Sequence, residues 1–413
     1  MWNELARALA TGDAVIAHGA TAGWSAWLAA QLPELGDELV VVVVPDDQAA
    51  RRLEADVRFF RGSAYDPAAA LDEIALLPGI DVPPYAELSP DRTSLVDRVA
   101  TLYRLAQPAL VPRIVVTSAE ALVRRTVAPA ELASRGTTLR TGAMVDRDEL
   151  AALLVAGGWS RTPVVDEPGT FAVRGGVIDV YTPLAPHPVR IELFGDEIES
   201  LRWFEAESQR TLRPVDWLHL HPVRETINTG NRDVRARLRE YADEIAHPTK
   251  ATRRLIEQLE GGEIFVGIEA LTPAFHDELV APAAYVAAHP QARWLVVDPE
   301  ACRRTVADAW ADAEARWTEK QGSRQLAYAP ARHLVDAGEL GAFTAPRRIE
   351  LPALELHDTG GVRLRVEVDD LRVLRQLLDH ARTFGDTEHA APLAEALGRW
   401  RADGLRVAIA CDS

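Results

Sequence analysis

Five consecutive valines, Val40–Val44, constrain the fold of this chain more than any other feature of its sequence. A β-branched run without polar alternation is typical of a strand buried on both faces, as in a parallel sheet covered by helices. A helical pattern follows at 49–60, another covers 95–105, and a second buried strand is predicted at 114–117. This alternation of strands and helices predicts a doubly wound α/β domain that begins within residues 1–130.

The segment before the valine run has the layout of a nucleotide-binding phosphate loop. A short apolar strand (14–18) leads into a turn bounded by Gly19 and Gly23, and the apolar pattern of a helix follows. The working motif, G-x-x-x-x-G-K-[ST], needs a lysine that reaches the phosphates and a hydroxyl that holds magnesium. Here the loop is one residue short, and Trp24 occupies the lysine position ahead of Ser25.

No lysine elsewhere in the chain has the sequence context of a phosphate-binding lysine. The whole chain has two lysines, Lys250 and Lys320, and neither follows a glycine or precedes a serine or threonine. An acidic stretch around Asp298 resembles a magnesium-binding box, but Pro299 replaces the second acid, so the start of a helix is the favoured interpretation. We therefore expect a degenerate helicase-type, P-loop-like domain without cofactor or metal.

Charge and cysteine content limit the function classes that remain. The net charge is −17, and phosphate binding needs a basic face, so a general grip on nucleic acid is disfavoured. The two cysteines, Cys302 and Cys411, are too few and too far apart for a disulfide framework or a zinc site. The N-terminus lacks a signal-peptide pattern, and no apolar run is long enough to span a bilayer. We expect a cytoplasmic protein without membrane partners.

The sequence pattern changes after about residue 136. A short predicted helix (147–156) is followed by clustered short strands, a combination typical of a small α+β module. These strands are expected at 171–174, 176–181, 189–194, 198–204 and 216–221. Because the α/β alternation resumes afterwards, we predict that a module at 131–221 is inserted between two halves of the α/β domain, 1–130 and 222–345.

The remaining chain is predicted to return to longer elements. Helices are expected at 232–246, 249–260 and 300–318, and strands at 264–267 and 294–297, whereas 322–350 has no clear pattern. The last elements are expected as strand 361–368, helices 369–383 and 388–402, and strand 405–411. We interpret 346–413 as a further, incomplete α/β domain. A stop just after an apolar strand is typical of an excerpt or an artificially ended chain.

One predicted hairpin of the module carries candidate docking residues. Its tight turn is expected at 195–196, between two alternating strands. With the apolar alternate residues facing a small core, Arg190 and Phe194 point to solvent, and Arg174 joins that side from a neighbouring strand. An aromatic flanked by arginines is the usual composition of a protein-binding hot spot. In the alternative, Phe194 packs on the next strand and the arginines are merely solvated.

The same module resembles a known family. It is strongly similar to the nucleotide-excision-repair protein UvrB and its relatives, the transcription-repair coupling factors. The similarity is concentrated in three stretches, Phe171–Val180, Arg190–Arg202 and Ser208–Thr211. The resemblance implies that the module docks UvrA, and the family's contact residues carry over to Arg174, Arg190 and Phe194, which match in type.

Other stretches distinguish between the two relatives. UvrB carries a tyrosine-rich hairpin that threads DNA, whereas only Tyr85 is present at the equivalent place here, and stacking on bases needs a row of aromatics. The stretch from 84 to 105 and the sequence 267–269 resemble the coupling factors, as does a phosphate loop without its lysine. We therefore expect the N-terminal, UvrB-like region of a transcription-repair coupling factor.

The resemblance implies a non-catalytic role for this region. It is expected to recruit UvrA, so that nucleotide excision repair starts where RNA polymerase has stalled. Binding of RNA polymerase and DNA, and the translocating ATPase, are implied for regions absent from this chain. One rival hypothesis is a nucleotide-dependent DNA-repair enzyme like UvrB itself. Another is a scaffold that only folds against its own C-terminal half.

Overall fold

The computed structural model describes residues 2–11, 14–36, 39–62, 73–226, 232–260, 265–323, 325–344, 347–353, 362–366, 371–383, 390–405 and 407. Within these ranges, no helix combines the length and the apolar character needed to cross a bilayer.

More of the described residues lie in helices than in strands. The α-helices are α1 (Trp2–Thr11), α2 (Ala22–Gln31), α3 (Asp47–Arg61), α4 (Arg92–Ala106), α5 (Ala119–Val123), α6 (Pro129–Ser134), α7 (Arg147–Ala156), α8 (Arg232–Glu244), α9 (Thr249–Glu260), α10 (Thr272–Phe275), α11 (Ala283–Ala287), α12 (Pro299–Gly322), α13 (Ala337–Thr344), α14 (Arg372–Thr383) and α15 (Ala391–Ala402). Short 3₁₀ helices lie at Leu32–Leu35, Ile268–Leu271 and Pro330–Arg332.

The strands divide between two main sheets and two short ribbons. In chain order they are β1 (Val15–His18), β2 (Val40–Val44), β3 (Ile74–Leu77), β4 (Ile114–Ser118), β5 (Thr126–Val127), β6 (Thr137–Arg140), β7 (Ser160–Arg161), β8 (Thr170–Arg174), β9 (Val177–Val180), β10 (Val189–Phe194), β11 (Glu197–Phe204), β12 (Thr211–Pro214), β13 (Trp217–Leu220), β14 (Leu279–Val280), β15 (Arg293–Val297), β16 (Arg348–Leu351) and β17 (Val362–Arg365). The ribbons pair β6 with β13 and β5 with β14.

The larger sheet has seven parallel strands in the order β17-β1-β16-β15-β2-β4-β3. All five valines of β2 are buried, as the sequence predicts. Val41 and Val43 pack in one apolar cluster with α4 and α12, while the other three valines pack in a second cluster with α1, α2 and α3. Helices thus cover both faces of this sheet, which explains a strand without polar alternation.

Strands that precede the module and strands that follow it assemble this sheet. We call the sheet and the helices that cover it the body. Strands β1–β4 precede the module, and β15–β17 follow it. Because β1 lies between β16 and β17, the expected boundary at 345 does not separate two sheets. The mixed, loop-like character expected for 322–350 is wrong for α13 and for β16. In β16 the buried Ile349 and Leu351 alternate with half-buried residues, and four residues are too few for the sequence to reveal such a strand.

The second main sheet forms the inserted module. Its six strands follow the order β12-β11-β10-β9-β8-β7, and all pairs are antiparallel except β7 with β8. The predicted helix at 147–156 is α7, and it packs on the apolar side of the sheet. The five predicted strands are found within a few residues, whereas the short strands β6, β7 and β12 were not predicted.

The module is packed tightly against the body where the chain enters and leaves it. On the entry side, a Cβ at Gly136 would clash with the hydroxyl and ring of Tyr103 in α4, so a larger residue there would displace that ring. On the exit side, His221 stacks on the Tyr103 ring with centroids 4.8 Å apart. Burial lowers the pKa of His221 to about 4, so this imidazole stays neutral at neutral pH. One tyrosine of the body therefore contacts both connections.

One predicted strand is not found, and another cannot be compared with the structure. The strand expected at 264–267 is wrong for its described residues, because 265–267 include a turn in which Gly267 has φ +87°, a left-handed conformation incompatible with an extended strand. The strand expected at 405–411 lies almost entirely outside the described residues.

Candidate protein-docking face of the inserted module

The two sides of the module's sheet differ in what they present. On the inner side, apolar alternate residues of β8–β11 pack with α7. On the opposite side, called the outer face here, cross-strand pairing and the two-residue period of strands align two rows. The first row contains Asp179, Arg190 and Arg202, and the second contains Arg174, Glu192 and Ser200. The sequence placed Arg174, Arg190 and Phe194 on this side, and the register agrees.

Phe194 ends β10, and its ring lies in solvent with 79% of the residue surface exposed. Gly195 follows in a left-handed conformation (φ +63°), which turns the chain so that Glu197 becomes the cross-strand neighbour of Phe194. The alternative in which the ring packs on the next strand is therefore wrong. An exposed phenyl ring at a hairpin end is available to a partner's apolar pocket.

Arg174 ends β8 and is also exposed. It lies at the same end of the sheet as Phe194, because the amide of Leu193 donates to the carbonyl of Gly176 (2.8 Å), just after the β8 end. The Arg174 guanidinium donates through Nη2 to the carbonyl of Pro163. Among the described residues no carboxylate pairs with it, so its charge can be neutralised by a partner's carboxylate.

Arg190 lies on the outer face but is held within the module. Its Nε and Nη2 donate to the two carboxylate oxygens of Asp179 (2.7 and 2.9 Å), and its guanidinium carbon lies 4.8 Å from the centroid of the Phe204 ring. The Asp179 side chain is 3% exposed. The hydrogen bond to Asp179 raises the pKa of Arg190. Arg190 is thus part of the outer face, but two of its guanidinium nitrogens already bind Asp179.

Sequence reasoning missed Asp179 and Phe204 as supports of Arg190. The signal that reveals Asp179 is the cross-strand register, which pairs it directly with Arg190 in β9–β10. Phe204 is more than ten residues away along the chain and comes into contact only through the pairing of β10 with β11. Neither relation follows from the local pattern of any one strand.

Internal pairs also fill the middle of the outer face. The hydroxyl of Ser200 donates to Glu192, and Arg202 approaches the same carboxylate at 3.5 Å. Arg190 lies four residues from Phe194, or about 13 Å along an extended strand. The outer face thus has a middle zone of mutually satisfied charges and an end zone that presents Phe194 and Arg174.

The β1–α2 segment keeps the strand–turn–helix layout that its sequence predicts. Gly19 has φ +83°, and a Cβ there would lie 2.8 Å from the carbonyl oxygen of Val366. Thr21 caps α2 by accepting from the amide of Trp24 (3.3 Å). The buried hydroxyl of Ser25 donates to the carbonyl of Thr21 (3.0 Å). The hydroxyl proton of Ser25 is thus used within the first turn of α2.

Tyr85 is buried rather than available for base stacking. It is 4% exposed, and its hydroxyl donates to the carbonyl of Tyr328 at 2.6 Å. Its backbone is left-handed (φ +73°), an uncommon conformation for a side-chain-bearing residue. Burial raises the pKa of its hydroxyl. This tyrosine therefore ties the first part of the body to residues that follow the module.

The acidic stretch at Asp298 starts a helix, which is the interpretation favoured from the sequence. The Asp298 carboxylate accepts from the amide of Ala301 (3.1 Å) and caps α12. Within the described residues, no group of three or more His, Cys, Asp or Glu side chains has the arrangement of a metal site. Lys320 pairs with Glu87 at 2.8 Å.

Comparison with known proteins gives two findings. Residues 137–225 match the model of the UvrB interaction domain. Nearly the whole chain is similar to transcription-repair-coupling factors: 31% identical to that of Myxococcus xanthus over 90% of this chain, 32% to that of Mycobacterium bovis over 65%, and 28% to that of Escherichia coli over 62%. The matches span 31%, 22% and 21% of the lengths of these relatives.

The fold and the domain match together define the class of this protein: a parallel α/β body with a UvrB interaction domain. The similarity extends over both the body and the module. It supports the assignment of this chain to the N-terminal region of a transcription-repair-coupling factor.

Proposed function

We propose that this chain recruits UvrA through the outer face of its module and thereby delivers excision repair to stalled RNA polymerase in the cytoplasm. In this proposal the module at 131–221 docks the partner, and the body built from 1–130 and 222–345 carries it. The observation that supports the proposal best is the exposed Phe194 beside Arg174, in a domain that matches the UvrB interaction domain.

The proposed mechanism is association without bond-breaking. Phe194 fills an apolar pocket on UvrA, because an aromatic that loses 79% exposure on binding removes a large apolar area from water. Arg174 pairs with a carboxylate of UvrA, bidentately where the geometry permits. Truncation of one such anchor typically costs about 2 kcal/mol or more, or roughly a thirtyfold loss of affinity.

Arg190 contributes differently from Arg174. Asp179 already engages its Nε and Nη2, and no hydrogen bond within the described residues engages Nη1. We propose that Arg190 offers this remaining edge to UvrA while Asp179 and Phe204 hold its plane. Little side-chain freedom is then lost on binding, which favours affinity.

The β1–α2 segment is proposed to be a degenerate phosphate loop without nucleotide chemistry. Trp24 occupies the lysine position, and Ser25 is engaged by Thr21. We propose that ATP-driven translocation and contacts with RNA polymerase and DNA reside in parts of the family's longer proteins that this chain does not span. The burial of Tyr85 argues against a UvrB-like role in threading DNA.

The proposal is tested by the affinity of the purified chain for UvrA, measured by titration calorimetry. Phe194→Ala and Arg174→Glu are each expected to weaken binding roughly thirtyfold or more. Val155→Ala is the matched control, because Val155 is 54% exposed on α7, which packs on the other side of the sheet.

Arg190→Glu is a poorer test, since it places a second carboxylate against Asp179 and perturbs the fold itself. If Phe194→Ala and Arg174→Glu both fold and bind UvrA like the wild type, the docking face is assigned wrongly. Absence of wild-type binding contradicts the proposed function as a whole.

A further inference from the structure

Phe194 belongs to a third row of paired residues, which crosses the end of the outer face. Glu197 pairs with Phe194 on one side and forms an antiparallel bridge to Met144 on the other. Two backbone hydrogen bonds flank this bridge, from Val145 to Asp196 (2.7 Å) and from Ile198 to Ala143 (2.9 Å). Directly paired residues of neighbouring strands project to the same side. Phe194, Glu197 and Met144 therefore form one row at the end of the outer face.

Met144 is as conspicuous as Phe194 in its exposure. It is 71% exposed, the second most exposed large apolar residue of the described chain after Phe194. Two strand spacings of about 4.8 Å place the backbones of Met144 and Phe194 roughly 10 Å apart. Methionine is flexible and polarisable, and it adapts to irregular apolar surfaces of binding partners.

We propose that Met144 is a second apolar anchor for the partner that Phe194 engages. This inference rests on the proposed function, with UvrA as that partner. It requires on UvrA a second apolar contact about 10 Å from the pocket for Phe194. Between the two, the exposed Glu197 carboxylate needs a cation or hydrogen-bond donor on UvrA, because a buried carboxylate without a partner is costly.

Continuity with Phe194 separates Met144 from the other exposed apolar residues of the module. Single exposed apolar side chains are common and need no function. Val155 and Leu153 are about half exposed, but they lie on α7, which packs against the inner side of the sheet. Met144 alone shares a paired row with Phe194, so one flat partner surface contacts both.

The composition of the chain gives a direct test. Its only methionines are Met1 and Met144, so labelling with ¹³C-methyl methionine yields two methyl signals, and a Met144→Leu variant assigns them because it loses one. Addition of UvrA to the labelled wild-type chain is expected to shift or broaden the Met144 signal specifically. In parallel, Met144→Asp is expected to weaken UvrA binding roughly tenfold, and Val155→Asp is the control expected to bind normally.

The outcomes separate this inference from the proposed function. If UvrA binds and Phe194→Ala weakens binding, but the Met144 signal and the Met144→Asp affinity stay unchanged, the second anchor is wrong and the proposed function stands. If the wild type does not bind UvrA at all, both fail. A shifted Met144 signal in a Phe194→Ala sample at saturating UvrA supports an independent contact.

Discussion

The body and the module handle charged and aromatic side chains in opposite ways. In the body, Arg98 is fully buried and pairs with Glu225 at 2.9 Å, and Tyr85 points its hydroxyl at a buried carbonyl. In the module, Phe194 is the most exposed of the large apolar residues, and Arg174 is exposed beside it. The three groups of the body hold distant parts of the chain together, whereas Phe194 and Arg174 lie exposed at the end of the module's sheet.

The largest effect is expected in the body, from Glu225→Gln. Arg98 and the buried Arg124 then share the interior without this carboxylate; burial already lowers the pKa of Arg124 to about 10. Breaking a buried pair on one side typically costs about 3–5 kcal/mol. The free energy of unfolding, measured by urea titration with circular dichroism, is expected to fall by that amount.

Asp312→Asn is the control for this change. Asp312 pairs with Arg316 on the surface of α12, and both side chains are 43% exposed. Exposed pairs contribute at most about 1 kcal/mol. If both variants lose the same free energy of unfolding, the buried pair of Arg98 and Glu225 stabilises the body no more than an exposed surface pair does.

A smaller effect is expected from Arg190→Ala. This variant tests whether Arg190 of the module, like Arg98 of the body, stabilises the fold through an internal ion pair. The change leaves the nearly buried Asp179 carboxylate without its partner, so it is expected to destabilise the module by about 2 kcal/mol. Phe194→Ala is expected to change stability by no more than about 0.5 kcal/mol, because its ring is solvated. Thermal unfolding of both variants measures the difference.

The double variant Asp179→Ala with Arg190→Ala sharpens this prediction. Removal of both partners is expected to restore part of the stability, since no unpaired charge remains. An Arg190→Ala protein as stable as the wild type would place Arg190 with Phe194 as a purely partner-facing group.

The pH dependence of stability tests the junction between the two regions. Asp97 of α4 lines a cavity of about 890 Å³ between body and module, and burial raises the pKa of its carboxyl to about 6 from an ordinary 3.8. The folded state then binds more protons than the unfolded state between these values. This carboxyl therefore lowers stability progressively as pH rises from about 4 to 6, and its cost is complete above that.

Asp97→Asn is expected to remove this cost and to stabilise the chain by about 1 kcal/mol at pH 7, after allowance for partial exposure. Melting temperatures of the wild type and Asp97→Asn, recorded from pH 4 to 7, are expected to diverge as pH rises. Parallel curves over that range would show that the ionised carboxyl of Asp97 does not destabilise the junction.

The smallest effect is expected from nucleotide. With Trp24 in the lysine position, 1 mM ATP with magnesium is expected to leave the melting temperature unchanged. A ligand present at its dissociation constant stabilises a protein by only about 0.4 kcal/mol. Calorimetric binding tighter than about millimolar would favour the rival, a nucleotide-dependent repair enzyme.

Much of both regions follows from local pattern. The unbroken valines of β2 require a sheet covered on both faces, and the helix at 147–156 is found at its predicted bounds. The period of two in β10 and the turn after Phe194 place that ring on the outer face. Side-chain period and turn chemistry act over a few residues, so the sequence alone determined them.

Other relations were decided only when distant segments met. The sequence does not reveal that β16 and β17 flank β1, that Tyr85 bonds Tyr328, or that Met144 shares a row with Phe194. The same holds for Asp179, whose capture of Arg190 depends on strand register. Local rules fix which side of a strand a residue occupies, but its neighbour on the next strand depends on the register that the whole packed sheet selects.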